Sequence, residues 1–369
     1  MDKKNICVIF GGQSSEHMVS LASASFVMSN VDSTKYNMIP VGITQDGRWF
    51  LYSGPIDRIR SNTWQDEQLC KSAFIAPDAG IHGLIVLNGN REDGKIDNNT
   101  KDGQRVEEIR LDCIIPVLHG RFGEDGTIQG LFEMAQIPYV GCGVTASANA
   151  MDKVFSRTIF DAQGIPQANW TWCTKSAFVC DSQAVIARIE RDFSYPIFIK
   201  PANAGSSVGV SKAKTSAEFA NALKLAFEHD CKAVIEEFID CREIEAAVLG
   251  GDPPIVSVCG EVIPAKEFYD YEAKYHNENS RLFIPAPISD EECKTIRLYA
   301  LQTFAALDCA GLSRIDFFIR KQDGKIFLNE INTMPGFTEI SMYPKLMSYS
   351  GIEPTELVSR LIDLAMSQN

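Results

Sequence analysis

Residues 313–332 combine acidic, amide and guanidinium side chains with two apolar runs that flank an Asp-Gly pair. An Asp-Gly pair between such runs predicts a β-hairpin. If its loop has three residues, with Gly324 in the left-handed conformation, Asp316 lies directly opposite Glu330. Two carboxylates in this arrangement repel each other, but they can share a cation.

The same hairpin register pairs Arg314 with Asn332 and places both on the face of Asp316 and Glu330, because residues two apart on a strand point to the same side. Two carboxylates and an amide oxygen are hard ligands of the kind that Mg²⁺ prefers. The pattern therefore predicts a metal site at Asp316, Glu330 and Asn332. The alternatives are a solvated hairpin face with scattered charges, or a slipped register that separates the pair.

A glycine-rich loop at 204–209 follows a predicted strand that ends at Lys200. Its glycines allow backbone N–H groups to approach phosphate oxygens. Lys200 and Lys153, which lies in an earlier Met-Asp-Lys turn, could bring two cations to the same phosphate. Taken singly, the loop is a Gly-Ser hairpin turn and each lysine is a solvated surface residue. Together they predict a site for nucleotide phosphates.

Two familiar nucleotide-binding motifs fail in this chain. A Gly-Gly pair follows the first strand, but the dinucleotide-binding pattern needs glycines where Gln13 and Glu16 stand. The sequence at 89–95 resembles a P-loop, but Ile96 replaces the required Ser or Thr and no helical pattern follows. Glu16, at a predicted helix start, would repel a pyrophosphate and attract an ammonium group.

The elements that must position these residues alternate between short apolar runs and helical patterns, which predicts an α/β or α+β class. A strand, a helix and a strand between residues 6 and 43 form a βαβ start. A strand at 113–118 delivers His119 to the carboxyl end of the sheet, where ligands bind in such folds. The polar stretch at 52–110 is expected to be a long surface excursion. Further elements are predicted at 197–200, 217–229, 233–237, 255–263 and 290–307, and in a last helix.

Composition limits the kind of protein. The chain has 369 residues, of which 45% are hydrophobic and 22% charged, so an ordinary globular protein of two or three domains is expected. Its net charge of -13 argues against binding to nucleic acid. No apolar run approaches the roughly 18 residues that span a bilayer, and the first residues lack signal-peptide features. We expect a cytoplasmic protein without membrane or nucleic-acid partners.

The cysteines and most of the histidines receive no chemical role. Eleven cysteines, an odd number without a C-x-x-C pair, predict reduced and mostly buried thiols and no zinc site. Four histidines are expected at the surface: His17, His82, His229 and His276.

Several of these motifs occur in one order over essentially the whole chain. They are Gly11-Gly12 with 15–20, then 119–130, 151–153, 200–209 and 268–275, and finally 314–316 with Asn332 and Ser341. In this order they resemble the D-alanine–D-alanine ligase family of the ATP-grasp superfamily. The resemblance implies an α/β chain with α+β lobes: an N-terminal Rossmann-like domain at 1–141, followed by a two-lobed ATP-grasp fold at 142–240 and 241–369.

The resemblance also implies a reaction. ATP would phosphorylate the carboxylate of one D-alanine, and the amine of a second would attack the acyl phosphate to give the dipeptide of peptidoglycan precursors. The cofactor would be Mg²⁺, with Mn²⁺ as a substitute and two ions per site. We expect small-molecule substrates, ATP and D-alanine, and a homodimer.

Carried over motif by motif, the resemblance assigns the ATP-binding roles. The phosphates would be held by Lys153, Lys200 and the loop that contains Gly205, Ser206 and Ser207. The adenine and ribose would be bound by Glu236, Glu237, Ile239 and Glu243. The metal ligands would be Asp316, Glu330 and Asn332, in agreement with the hairpin argument.

The remaining roles concern the amino acids and the tetrahedral intermediate. Arg314 and the backbone amide of Gly336 would stabilise the oxyanion. Glu16 would receive the ammonium group of the first D-alanine, beside His119. Ser341 would bind the carboxylate of the second.

Lys274 and Tyr275 would close a lid over the site, with Tyr275 bonding toward Ser206 and Glu16. This lid favours an amine nucleophile over D-lactate, while D-serine stays an alternative to the second D-alanine. Two other classes of protein are alternatives: a catalytically silent nucleotide-binding protein, and a nicotinamide dehydrogenase, which the failed glycine pattern disfavours.

Overall fold

The structure, a computed structural model, describes residues 3–88, 91–92, 95–96, 105–205, 208–263 and 281–367. The chain divides into two compact units. Unit 1 comprises Met1–Val144 with Met334–Asn369, and unit 2 comprises Thr145–Thr333. The mixed α/β class predicted from the sequence is confirmed. The three-domain division at 1–141, 142–240 and 241–369 stays a prediction.

Both units contain strands and helices. The strands are β1 (Lys4–Gly11), β2 (Tyr36–Ile43), β3 (Trp49–Tyr52), β4 (Cys70–Ile75), β5 (Gly83–Asn88), β6 (Arg91–Glu92), β7 (Lys95–Ile96), β8 (Arg105–Arg110), β9 (Cys113–Val117), β10 (Trp170–Thr174), β11 (Ile197–Pro201), β12 (Ser211–Ala213), β13 (Lys232–Glu237), β14 (Cys241–Leu249), β15 (Ile255–Ile263), β16 (Arg281–Phe283), β17 (Leu312–Arg320) and β18 (Ile326–Asn332). The helices are α1 (His17–Ser29), α2 (Ile56–Arg60), α3 (Thr127–Ala135), α4 (Val144–Met151), α5 (Lys153–Ala162), α6 (Lys175–Cys180), α7 (Ser182–Asp192), α8 (Ser216–His229), α9 (Asp290–Ala306), α10 (Met342–Tyr349) and α11 (Pro354–Ser367).

Unit 1 is built on a seven-stranded sheet in the order β8-β5-β4-β3-β2-β1-β9. The central strand β1 pairs in parallel with β2 and with β9, and the strands beyond β2 continue antiparallel. From Ile6 to Phe10, β1 is completely buried, as expected for an apolar strand at the centre of a covered sheet. Because β1 and β9 run in parallel as neighbours, the segments that carry Glu16 and His119 leave the sheet at the same edge.

The prediction that residues 52–110 form a surface excursion is wrong for the described residues, because this stretch contributes β4, β5 and β8 to the sheet. On β4, Ala73 and Ile75 are buried while Lys71 and Phe74 are exposed. An antiparallel strand with one solvated face alternates in this way, so its apolar residues never form the continuous run that marks a buried strand. The P-loop-like stretch at 89–95 lies largely outside the described residues.

Unit 2 contains two antiparallel sheets. The first has the order β10-β13-β11-β12, and α8 packs on it through a core that includes Ile199, Phe219 and Leu223. Its neighbouring strands β11 and β13 carry Lys200 and Glu236. The sheet therefore brings the predicted phosphate and adenine residues into one region of unit 2.

The second sheet of unit 2 has the order β16-β15-β14-β17-β18. One face packs against α9, through residues such as Ile244 on β14 and Phe317 on β17. The helix begins with a capping box in which Ser289 and Glu292 satisfy each other's backbone amide. With this face committed to the core, the alternating residues of β14, β17 and β18 present their polar side chains on the other face.

Candidate active site

The hairpin of β17 and β18 carries the predicted metal ligands in the predicted register. Asp316 is paired directly with Glu330, and Arg314 with Asn332. Gly324, in the turn, has the left-handed φ of 70° that the sequence predicts. The two carboxylates and the amide therefore belong to one face of the sheet.

The hairpin loop differs from the prediction, because it has four residues, 321–324, rather than three. That loop alone would shift the pairing by one residue and turn Glu330 away from Asp316. A β-bulge at Asn329 compensates, since the pairing on β18 steps from Glu330 to Leu328 while it advances by one residue on β17. The register at the site is therefore set by a loop and a bulge that offset each other.

The bulge also explains which β18 residues are buried. Leu328 and Ile331 both lie in the core although they are three residues apart, whereas Glu330 lies across from Asp316 on the other face. Arg157 Nη2 donates to Asn329 O at 3.3 Å. A side chain from α5 thus holds the carbonyl group that the bulge removes from the strand ladder.

A third carboxylate, Glu245 on β14, lies in the same row across the sheet. Glu245 pairs with Asp316, and Asp316 pairs with Glu330. The sequence analysis missed Glu245 because β14 and β17 are far apart in the chain, and no local pattern reveals their pairing. One signal was present: Glu245 is two residues from Glu243, so the two share a strand face.

Arg314 neutralises part of this row. Its Nε donates to Asp316 Oδ1 and its Nη2 to Asp316 Oδ2, both at 2.7 Å, and Nε lies 2.9 Å from Glu245 Oε2. Burial acts to lower the pKa of the guanidinium, but the charges of Asp316, Glu245 and Glu330 outweigh it and raise the pKa well above its usual value. Arg314 is therefore a fixed, buried cation.

The donor set fits a hard divalent cation. Asp316 and Glu330 supply opposed carboxylates, and Asn332 Nδ2 donates to Asp316 Oδ2 at 3.0 Å. Rotation of the amide by half a turn exchanges its nitrogen and oxygen, so the oxygen can serve as a ligand. Among the described residues, no three His, Cys, Asp or Glu side chains group as metal ligands. The two carboxylates and the amide oxygen of Asn332 are hard donors of the kind that Mg²⁺ prefers, and their role as ligands stays a prediction.

Lys153 joins α5 to the glycine-rich loop. It is the first residue of that helix, and its Nζ donates to Ala204 O at 2.7 Å. Burial lowers the pKa of the Lys153 ammonium, and the charge of Glu330 opposes that effect. Lys153 is thus electrostatically coupled to the predicted metal face.

Glu236 is held between two cations. Arg157 Nη2 lies 2.6 Å from Glu236 Oε1, and Lys200 Nζ lies 2.8 Å from Oε2. Burial acts to raise the pKa of Glu236, but Arg157, Lys200 and Lys153 outweigh it and lower the pKa to about 2. The sequence analysis missed Arg157; its spacing of four residues from Lys153, on one helix face, was the available signal.

The other residues that are predicted to bind the nucleotide follow Glu236 closely along the chain. The carboxylate of Glu237 accepts from Asn169 N at 2.8 Å and from Asn169 Nδ2 at 3.2 Å. Ile239 is buried, and Glu243 lies on β14, between Val262 of β15 and Phe318 of β17. Their predicted contacts with adenine and ribose stay predictions.

Part of the predicted loop and lid is outside the described residues. Gly205 is described, and its carbonyl accepts from Val208 N at 3.1 Å. The predictions for five residues fall outside the described part of the chain: Ser206, Ser207, Lys274, Tyr275 and His276.

Unit 1 holds the residues that are predicted to bind the amino acids. Glu16 is the N-cap residue of α1 and is buried. Ser14 Oγ accepts from Glu16 N at 3.1 Å and donates to His119 O at 2.7 Å. Gly120 has a φ of 68°, and a Cβ there would lie 2.5 Å from Glu16 Oε2. The glycine therefore allows the chain after His119 to approach the Glu16 carboxylate closely.

His119 is fixed by partners on both ring nitrogens. Its Nδ1 lies 3.0 Å from Met334 O, and its Nε2 lies 3.0 Å from Ser23 Oγ. A carbonyl oxygen can only accept, so Nδ1 carries a proton, and in the neutral ring Ser23 donates to Nε2. Ser23 Oγ also accepts from Phe337 N at 3.2 Å. One buried hydroxyl that the sequence analysis missed therefore links His119 to the segment that follows the hairpin.

We expect Ser23→Ala to destabilise the protein by about 2 kcal/mol, because it leaves two buried polar groups without their partner. The matched control is Ser25→Ala. Ser25 is equally buried on the same helix, but within the described part of the chain its hydroxyl bonds only to Leu21 O. Urea unfolding of both variants tests the prediction, and equal losses of stability would contradict it.

The last two predicted residues lie in the segment after the hairpin. Ser341 is the N-cap residue of α10, but its hydroxyl bonds to Thr338, with Thr338 N donating to Ser341 Oγ at 3.0 Å. A Cβ on Gly336 would lie 3.1 Å from Ser341 Oγ. The loop thus brings the Gly336 backbone close to the Ser341 hydroxyl, and the predicted substrate contacts of both residues stay predictions.

The prediction that His17 lies at the surface is wrong. This residue is buried, and its Nδ1 lies 2.7 Å from Gly12 O. Cys180 and Cys231 also differ from the expectation of buried thiols, because both are exposed. None of the described helices has the length and apolar character of a membrane span.

These features define a class of protein. Unit 2 combines an antiparallel sheet that carries the Lys200–Glu236 ion pair with a second antiparallel sheet that carries opposed carboxylates. Together with the mixed sheet of unit 1, this is the architecture of a ligase with the ATP-grasp fold.

Comparisons with known proteins name the family. Residues 5–142 match the family model for the D-ala D-ala ligase N-terminus, and residues 159–363 match the model for the D-ala D-ala ligase C-terminus. A D-alanine–D-alanine ligase of Acetivibrio thermocellus is 50% identical over all of this chain and 97% of its own length. One of Ruminiclostridium cellulolyticum is 48% identical over all of this chain and 96% of its own length. The chain therefore belongs to the D-alanine–D-alanine ligase family.

Solved structures agree with this assignment. The VanG D-Ala:D-Ser ligase of Enterococcus faecalis is 37% identical, with a TM-score of 0.86 over 99% of this chain and 100% of that one. The D-alanine–D-alanine ligase of Coxiella burnetii is 32% identical, with a TM-score of 0.84 over 100% of this chain and 95% of that one. The predicted fold and family are thus confirmed.

Proposed function

We propose that this enzyme uses ATP to join two molecules of D-alanine, giving D-alanyl-D-alanine, ADP and phosphate for peptidoglycan synthesis. The observation that carries the proposal is the face of β17 and β18 on which Asp316 and Glu330 oppose each other beside Arg314. Such a face supplies the fixed charges that phosphoryl transfer requires. Family membership supplies the class of substrate.

The chemistry proceeds in two steps. A carboxylate oxygen of the first D-alanine attacks the γ-phosphorus of ATP, the bond to the bridging oxygen breaks, and ADP leaves. The amine of the second D-alanine then attacks the carbonyl carbon of the acyl phosphate, loses a proton, and expels phosphate. The enzyme forms no covalent bond with either substrate, so catalysis depends on positioning and on stabilisation of charge.

Unit 2 would bind the nucleotide. Lys153 and Lys200 would hold its phosphates under the loop that contains Gly205, Ser206 and Ser207. Glu237 and Ile239 would line the adenine pocket, with Glu243 at the ribose. Glu236 would contribute to the same pocket and, through its ion pair, would fix Lys200 in place.

Asp316, Glu330 and Asn332 would hold the metal. When bound, the cation neutralises charge on the phosphates and on the departing ADP. We propose Mg²⁺, with Mn²⁺ as a substitute and two ions per site. The buried guanidinium of Arg314 would stabilise the oxyanion of the tetrahedral intermediate.

Residues of unit 1 would bind the amino acids. The Glu16 carboxylate would receive the ammonium group of the first D-alanine, beside His119. The Gly336 amide would donate to the oxyanion, and Ser341 would bind the carboxylate of the second D-alanine. Lys274 and Tyr275 would complete the site as a lid, Tyr275 bonding toward Ser206 and Glu16. We further propose that the enzyme is a cytoplasmic homodimer.

D-Serine is the second candidate for the attacking amine. The observation that favours it is the 37% identity and TM-score of 0.86 to a D-Ala:D-Ser ligase, against 32% and 0.84 for the Coxiella burnetii D-alanine–D-alanine ligase. The two reactions share the first step. They differ in the side chain of the second amino acid alone.

Product analysis separates these functions. We expect the purified enzyme with Mg-ATP and D-alanine to form D-alanyl-D-alanine and equimolar ADP, as measured by mass spectrometry. L-Alanine serves as the control and gives no product. In mixtures with equal D-serine or D-lactate, D-alanyl-D-alanine stays the main product. A majority of D-alanyl-D-serine would establish the second candidate, and release of ADP without any condensed product would refute both.

A further inference from the structure

We propose that Glu245 is a positioning residue that provides a second anionic partner for Arg314 and thereby frees Asp316 to hold the divalent cation. The inference rests on the proposed function, in which Asp316 is a metal ligand. Glu245 itself would touch neither substrate nor metal. Its role is to determine where the Arg314 charge lies.

In the structure, Arg314 binds both carboxylate oxygens of Asp316. Two N–H groups of the guanidinium bond to the two carboxylate oxygens, both at 2.7 Å, and Asn332 Nδ2 adds a third hydrogen bond at 3.0 Å. A carboxylate in this state is a poor metal ligand, because its lone pairs are shared and a cation must approach beside a positive charge. Metal binding at Asp316 therefore requires Arg314 to weaken or break its hydrogen bonds to this carboxylate.

Arg314 cannot be released without another anion. Its side chain is buried, and a buried guanidinium that loses its partner is strongly unfavourable. Glu245 meets this need because it is buried too and lies directly across from Asp316 in the strand register. Arg314 Nε lies 2.9 Å from Glu245 Oε2, although the single hydrogen of Nε is directed to Asp316. A small rotation of the guanidinium would transfer that hydrogen bond to Glu245.

Removal of the Glu245 charge weakens cation binding in two ways. Arg314 then has Asp316 as its nearest anion and holds it more tightly. The row of carboxylates also loses one negative charge next to the metal ligands. Because both effects act in the same direction, the sign of the change is determined.

The sheet offers a matched control in Glu261 on β15. Glu261 is also buried, and it also forms a close ion pair with an arginine of β14, Arg242, at 2.6 Å. It pairs with Ile244, which belongs to the core face, whereas Glu245 pairs with Gly260. Glu261→Gln therefore removes the same charge from the opposite face of the same sheet.

The test measures how strongly Mn²⁺ and ADP support each other's binding. Calorimetric titration of ADP, without metal and with saturating Mn²⁺, gives the ratio of the two affinities, which cancels any direct effect of a variant on the nucleotide. We expect Glu245→Gln to lower this ratio at least about tenfold, consistent with loss of one nearby charge in a partly buried site. Glu261→Gln keeps the wild-type ratio.

A second variant separates charge from packing. Glu245→Asp retains the negative charge on a shorter side chain, and we expect it to restore most of the Mn²⁺ effect that Glu245→Gln loses. A wild-type enzyme whose ADP affinity does not respond to Mn²⁺ would refute the metal site of the proposed function. A wild-type response that Glu245→Gln retains in full, or that Glu261→Gln loses equally, would overturn this inference alone.

Discussion

Glu330→Gln is expected to lower kcat for dipeptide formation by about a thousandfold. The change is almost isosteric, but it replaces a carboxylate with a neutral amide directly opposite Asp316. The metal would lose one of its two charged ligands, and the transferring phosphoryl group would lose much of its neutralisation. Steady-state ADP release and mass spectrometry of the dipeptide measure the effect.

The fold should tolerate this substitution. Glu330 and Asp316 repel each other in the absence of metal, so removal of one charge relieves a cross-strand conflict. We expect a melting temperature within about 5 °C of the wild-type value. Asp323→Asn is the control, because it removes a carboxylate of the same hairpin at its far turn, where Asp323 pairs with Arg320 at 2.7 Å. Undiminished turnover in Glu330→Gln, or an equal loss in Asp323→Asn, would be incompatible with the metal assignment.

The hairpin shows how far local sequence can predict this site. Strand alternation and an Asp-Gly turn predicted that Asp316 lies opposite Glu330, and the structure has that pairing. The predicted three-residue loop was wrong. The loop has four residues, and this loop and the bulge at Asn329 each shift the register by one residue in opposite directions. A bulge depends on the packing of neighbouring elements, such as the contact of Arg157 with the Asn329 carbonyl. No pattern within the hairpin specifies it.

Residues that act through long-range pairing were missed for a related reason. Glu245 reaches the predicted metal face because β14 lies beside β17, and Ser23 reaches His119 because α1 packs near β9. Both residues are ordinary in their own segments: one is an acidic residue in a strand, and the other is a serine in an apolar helix. Their importance comes from a tertiary partner, which a one-dimensional pattern does not reveal.

The one-sided strands of unit 1 were missed because of their composition. The polar faces of β4 and β8 broke the apolar run that signals a buried strand, so the stretch was predicted to be an excursion although β5 is itself apolar and buried at residues 84–86. By contrast, β1 and β9 are buried on both faces and were predicted correctly. The parallel core of this sheet was thus predictable, and its antiparallel extension was not.

The resemblance to the ligase family supplied a different kind of information. Charge and spacing predicted a metal face and a phosphate site, but they did not select D-alanine, ADP formation or the order of the two steps. Those conclusions depended on motifs distributed over the whole chain. The geometry then added residues that the motifs did not include, among them Glu245, Ser23 and Arg157.

The Arg157–Glu236–Lys200 cluster leads to the second large effect. Glu236→Gln leaves the buried Arg157 and the partly buried Lys200 without their shared anion, and breaking a buried ion pair in this way costs roughly 3 to 5 kcal/mol. The pKa of Glu236 gives a consistent magnitude. A fall from 4.5 to about 2 on folding corresponds to stabilisation on the order of 3 kcal/mol at neutral pH. Lys200 would also lose the partner that fixes its ammonium group, so KM for ATP should rise.

The dependence on pH distinguishes this charge effect from a packing defect. Because folding lowers the pKa of Glu236, the unfolded chain binds its proton more readily than the folded protein does. The stabilisation is therefore present in full above about pH 4.5 and declines as the pH falls toward 2. The difference in unfolding free energy between the wild type and Glu236→Gln should thus be largest at pH 7 and clearly smaller at pH 3.

Urea unfolding at the two pH values provides the measurement, and Glu237→Gln provides the control. Glu237 is the next residue on β13, but it is only partly buried and bonds to the neutral Asn169 rather than to a cation. Its replacement should lower the free energy of unfolding by about 1 kcal/mol, which is the typical net contribution of a hydrogen bond. A Glu236→Gln deficit that is the same at pH 7 and pH 3 would mean that shape rather than charge holds the cluster together. In that case Glu236 could not be the residue that keeps Lys200 in position for the nucleotide.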